Sequence, residues 1–185
     1  PDETMLAVAY REHNCVALIP VDEDSEEAPI ILGPGRLACP EDVRFTPDGL
    51  FVVVADVGNA RVVGLSIADG SQAFECRHPG WDAAGGECNI IGLDVDHNGA
   101  VVAVDHNGVR VFDSHGTLVT DGLGGLDLGG EGYSVAVHSA SGQVAVARES
   151  VIHIISCASS RSPTSESESG PQTLALLSSV DPGSN

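Results

Sequence analysis

Lysine is missing altogether. All eight basic residues of this 185-residue chain are arginines, set against 27 acids, and the formal net charge is −19. Such a balance repels a phosphate backbone, so nucleic acid is not an expected partner. Aromatic residues make up 4% of the chain, with a single tryptophan. A core left to valine, alanine and glycine suits thin sheets packed face to face through small side chains. No apolar run approaches the ~18 residues a spanning helix needs, so membrane insertion is not expected either. The five cysteines, Cys15, Cys39, Cys76, Cys88 and Cys157, include no Cys-x-x-Cys pair, which removes the usual zinc spacings. They read as small buried hydrophobes at strand ends, with a Cys76–Cys88 disulfide as the alternative in an oxidising compartment. The glycine-rich stretch 121–132 lacks a Gly-Lys-Ser/Thr ending and reads as a connector rather than a phosphate cradle.

What is present is a strand-turn-strand pattern that recurs. Gly49, Gly99 and Gly142 each close a polar turn between two apolar runs, 50 and then 43 residues apart. A period in that range points to propellers or solenoids. In one unit 42–46 alternates, Pro47-Asp48-Gly49 turns, 50–56 is a β-branched run, Gly58-Asn59 turns into 61–67, and Ala68-Asp69-Gly70 leads into 71–76. That predicts four antiparallel strands, the content of one propeller blade. The next unit turns at His97-Asn98-Gly99, His106-Asn107-Gly108 and Ser114-His115-Gly116, and a third turns at Ser141-Gly142 and near Glu149-Ser150. Ahead of them, 5–10, 15–20 and 29–32 form a blade whose first strand is absent. The expected architecture is an all-β propeller of four-stranded antiparallel blades over 4–32, 42–76, 90–120 and 133–177, with a tail at 178–185.

The units resemble NHL repeats, six-bladed-propeller relatives of the WD-repeat family. The resemblance rests on Asp48-Gly49, Val54-Ala55-Asp56, Gly58-Asn59-x-Arg61 and Asp69-Gly70, and then on Asn98-Gly99, Ala103-Val104-Asp105, Asn107, Arg110-Val111-Phe112 and His115-Gly116. Asp56 and Arg61 are five apart, as are Asp105 and Arg110, so an acid and a base are expected across the same hairpin twice. Tyr10 and Arg148 stand in the acid's place in the outer units. The resemblance implies a six-bladed ring, and about four blades are present. Other residues are therefore expected to complete the ring, the chain being a processed protein or a piece of a longer one.

Several residues invite a chemical reading. Asp94-x-Asp96-x-Asn98-Gly99 resembles the opening of a calcium loop, and calcium is the one cofactor to weigh. Its flanks read as strands, however, and an ordinary hairpin turn accounts for the same residues. Trp81 sits with Arg77 and His78 in a long connector, where an exposed Trp-Arg group would be a protein-interface anchor. Folded back, the same ring would cap its own blade. His97 and His115 are expected on one face of the ring and His106 on the opposite one, so the three do not converge on a site. The acidic insertions 22–27 and 159–170 read as solvated loops, the second with Ser165 as a phosphorylation candidate. No catalytic constellation emerges. The expected function is a non-catalytic protein-protein interaction module or a subunit of an assembly. The rival is a metal-dependent propeller hydrolase or lyase acting on a small molecule, with acids such as Asp56 or Asp105 at the mouth of its channel.

Overall fold

The computed structural model describes residues 4–22, 25–81, 90–106, 108–121, 132–138, 141–148, 151–157 and 174–180. Fifteen strands fall into four antiparallel sheets, and no α-helix occurs among the described residues. The first sheet holds β1 (Met5–Tyr10), β2 (Cys15–Pro20) and β3 (Ile30–Leu32). The second holds β4 (Pro40–Phe45), β5 (Phe51–Asp56), β6 (Arg61–Ser66) and β7 (Gln72–Cys76). The third holds β8 (Ile90–Val95), β9 (Val101–Asp105), β10 (Gly108–Phe112) and β11 (Leu118–Asp121). The fourth holds β12 (Gly132–His138), β13 (Gln143–Arg148), β14 (Val151–Cys157) and β15 (Leu174–Val180).

Every sheet is a simple meander in chain order. Where a short polar turn joins two strands nothing else is possible, since a hairpin connection places them side by side; β2–β3 and β14–β15 keep the same order across the longer segments 21–29 and 158–173. The hairpin β1–β2 matches β5–β6: each turns through a single 3-10 turn, Arg11–His13 or Val57–Asn59, and leaves it through one left-handed residue, Asn14 or Ala60. Among the described residues the first sheet therefore lacks a counterpart of β4. Strands β4, β8 and β12 lie next to one another, and β1 lies next to β4.

Three apolar layers join the sheets. Val16, Leu18 and Leu32 of the first sheet meet Val43, Val52, Val54, Val63 and Leu65 of the second. The opposite face of the second sheet, with Val53, Ala55, Val62 and Cys76, meets Leu93, Val101, Ala103 and Phe112 of the third. Val102, Val104, Val109 and Val111 then meet Val135, Val144, Val146 and Ile155 of the fourth. The middle sheets are covered on both faces, which explains why β5 and β9 are continuous β-branched and alanine runs rather than alternating ones. In the fourth sheet the expected tail at 178–185 gives way to strand as far as Val180, because Ser178 to Val180 find pairing partners at Ile154 to Ile152. Cys15, Cys39 and Cys76 are free thiols. Burial first, and then the nearby Asp113 and Glu75 carboxylates, push the Cys76 thiol up to about 12. Cys88 and the insertion 159–170 lie outside the described residues.

Candidate functional site

The acid of the β5–β6 hairpin is fully buried. Asp56 is the register partner of Arg61, whose Nε donates to Asp56 Oδ2 at 2.8 Å. Asn59 Nδ2 donates to the same oxygen at 2.8 Å, and the Ala38 N–H donates to Oδ1 at 2.7 Å. Arg61 also reaches Gln72, Glu75 and the Arg36 carbonyl. Burial works against its charge, but the Asp56 and Glu75 bonds outweigh that and raise its pKa. The third sheet repeats the scheme in a different register. Here Asp105 is the register partner of Gly108, and Arg110 lies 3.5 Å from Asp105. Both acids hold the connector that precedes their own sheet: Asp56 takes the Ala38 N–H, and Asp105 takes the Trp81 indole N–H at 2.7 Å. The second contact corrects the reading of Trp81 as an exposed anchor. At 3% exposure its ring lies in the layer between the second and third sheets, 5.6 Å from the Phe112 ring. Arg77 is exposed and pairs with Glu75 at 3.0 Å, and the His78 ring accepts the Gly80 N–H.

Carboxylates also bridge the sheets near β4, β8 and β12. Asp42 accepts the Leu93 N–H at 3.0 Å, and Asp94 accepts the Val137 N–H at 2.6 Å. Arg44 pairs with Asp42 and approaches Asp94 at 3.7 Å. Asp96 accepts the N–H groups of Asn98 and Ala100, both at 2.8 Å, and so shapes its own hairpin turn. The acids of the calcium-like motif thus serve backbone donors. Among the described residues no three His, Cys, Asp or Glu side chains group to hold a metal ion.

A cavity of about 500 Å³ opens between the second and third sheets, at the end where the β4–β5, β8–β9 and β10–β11 turns lie. Phe51 and Phe74 line it edge to face, ring centroids 6.5 Å apart. Phe74 lies opposite Gly64 across β6–β7, and a Cβ on Gly64 would come within 2.3 Å of the Phe74 ring. The missing side chain makes the niche in which that ring sits. Pro47, Asp48, His97, Asn98, Ser114 and His115 also line the cavity. Asp48 is exposed, and bonds from Thr46 Oγ1 at 2.6 Å and the Leu50 N–H at 3.0 Å hold its carboxyl below the ordinary value. His97 and His115 come together here, while His106 stands on the β9–β10 turn at the other end of the sheet. The turns were legible in the sequence. The aromatic wall was not, because its only signal is a cross-strand Gly-Phe pair.

No protein-family model matches the chain, and no curated protein resembles it in sequence. Solved structures resemble it in fold. Hsv2 of Kluyveromyces lactis superposes with a TM-score of 0.69 at 11% identity, over 97% of this chain and 59% of that one. The fold is a β-propeller's, and the sheets are its blades. Hsv2 of Kluyveromyces marxianus gives 0.66 at 10% identity, over 97% and 56%. A gluconolactonase of Xanthomonas campestris gives 0.54 at 21% identity, over 74% of this chain and 42% of that one. The chain spans less than two thirds of the length of each.

Proposed function

We propose that this chain is a non-catalytic interaction module or structural subunit of a larger protein assembly, built on NHL-like blades. The observation that carries this reading is the outward face of the first blade. Leu6, Val8, Ile19 and Ile31 share that face by register, with Leu6 57% and Ile31 51% exposed. The same sheet's other face is covered by the second blade. A contiguous aliphatic face on a rigid sheet is the chemistry that the three interior layers already use to join blades, and exposed patches of this kind mark protein-protein surfaces. A charge of −19 supports a protein partner over nucleic acid.

Native mass spectrometry of the complex isolated from its source tests this. A stoichiometric protein partner is expected, and it should be lost when Leu6 and Ile31 are both replaced by glutamate. A lone chain carrying one tightly held divalent ion overturns the reading. That outcome would favour a metal-dependent hydrolase or lyase acting on a small molecule, a second reading supported by the likeness to the Xanthomonas gluconolactonase. Asp56 and Asp105 are poorly suited to serve it, since both are buried and engaged in holding connectors.

A further inference from the structure

We propose that the cavity between the second and third blades receives an aromatic side chain from a cationic segment of a protein partner. This rests on the interaction-module reading and adds to it a site and a partner chemistry.

The cavity is of the size at which binding pockets begin to be useful, and its wall is an edge-to-face phenylalanine pair, which leaves ring surface for a third aromatic group. The wall is preformed. Phe74 occupies the space left by Gly64, so its ring needs little ordering when a ligand enters, and the entropy that binding loses is correspondingly small. The rim comes from three separate turns, and Asp48, His97, Asn98, Ser114 and His115 on it are all exposed. A small free molecule is held by burial of most of its surface, which so open a mouth does not provide. A side chain presented by a backbone lying across the turns needs only its ring enclosed, and its main chain finds donors and acceptors on the rim.

Charge selects the sign of that backbone's neighbours. Among the described residues no arginine lines the cavity, and Arg61 and Arg77 are both drawn to Glu75. Asp48 stands on the rim, and Asp113, next to Ser114, is ionised as well. Burial works to raise the Asp113 carboxyl, but the N–H groups of Thr117 and His115 outweigh it and hold it low. With the whole chain at −19, arginines or lysines flanking the aromatic residue are drawn in and acids are repelled.

The test is an NMR titration with a nine-residue peptide carrying a central tryptophan flanked by arginines. Two control peptides have alanine at the centre or glutamates at the flanks, and free indole is a third control. Expected are shifts confined to the rings of Phe51, Phe74, His97 and His115, with the alanine-centred and glutamate-flanked peptides and free indole all binding at least about tenfold more weakly. Ala73→Trp, at an exposed lining position, should fill the mouth and cause a comparable loss. Asp48→Asn, on a surface turn, should weaken binding and flatten its salt dependence. Equal binding of the alanine-centred peptide, equal binding of free indole, or binding unaffected by Ala73→Trp overturns the proposal. If the Ala73→Trp protein still co-purifies with its stoichiometric partner, the cavity assignment falls and the interaction-module reading stands. If no partner is found for the parent protein, the module reading itself falls.

Discussion

Asp56 accepts hydrogen bonds from three separate places in the chain, Ala38, Asn59 and Arg61, and is wholly out of solvent. The five-residue spacing to Arg61 was enough to place the pair on one hairpin. Nothing in that spacing showed the other carboxylate oxygen holding a connector 18 residues earlier. Removing a buried charge partner leaves the remaining groups uncompensated, so Asp56→Ala should lower unfolding free energy by about 3–5 kcal/mol in urea titrations. Trp81 teaches the same lesson from the opposite side. An aromatic residue in a connector rich in glycine and charge reads equally well as exposed or buried, and the choice is made by Asp105, 24 residues later. Trp81→Phe keeps the ring packing against Phe112 but deletes the indole N–H, and should cost about 1–3 kcal/mol. As the sole tryptophan, Trp81 should give the native parent a blue-shifted emission that moves to the red on unfolding.

Strands were the most legible elements, since alternation and turn residues are properties of a few consecutive positions. β13 and β14 run where their apolar patterns place them, and β4 starts earlier than its alternation because Pro40 pairs with Asp56. Turns carried more information than their composition showed. Gly116, at φ +86°, closes the β10–β11 turn, and a Cβ there would stand 2.2 Å from the Glu75 carbonyl oxygen of the second blade. Its glycine is required twice, by the left-handed backbone and by the approach of one blade to the next. Gly116→Ala should therefore destabilise by at least about 2 kcal/mol, more than a surface turn substitution normally does, and thermal unfolding will show it. Gly35, also left-handed but with open space around it, is the control, and Gly35→Ala should carry the smaller backbone penalty alone.

At the scale of the whole molecule, the acids among the described residues divide by position. Asp42, Asp56, Asp94 and Asp105 accept hydrogen bonds from donors on other elements, whereas Asp48, Asp69 and Asp113 sit on turns whose local donors hold their carboxyls low. At Asp69 the Ser71 hydroxyl, and then the Ser71 N–H, lower the carboxyl from 3.8 to about 2. A carboxyl depressed in the folded state contributes stability that is fully present above its ordinary value and lost as pH falls through the folded one. The Tm difference between the parent and Asp69→Ala should thus be constant above about pH 5 and narrow between about pH 4 and 2. A difference unchanged at pH 2 would show that the Ser71 bonds do not depend on the charge.

Blade content, strand order and the propeller class followed from the sequence alone, because hairpin meanders leave consecutive strands no freedom in their neighbours. Which face of each blade is covered, which carboxylate serves which blade, and where a cavity opens did not. Those features join residues such as Asp42 and Leu93, 51 positions apart, that come together when the sheets stack. Stacking is a matter of side-chain volume and missing volume, as at Gly64 beneath Phe74, and a linear pattern of apolar residues does not encode it.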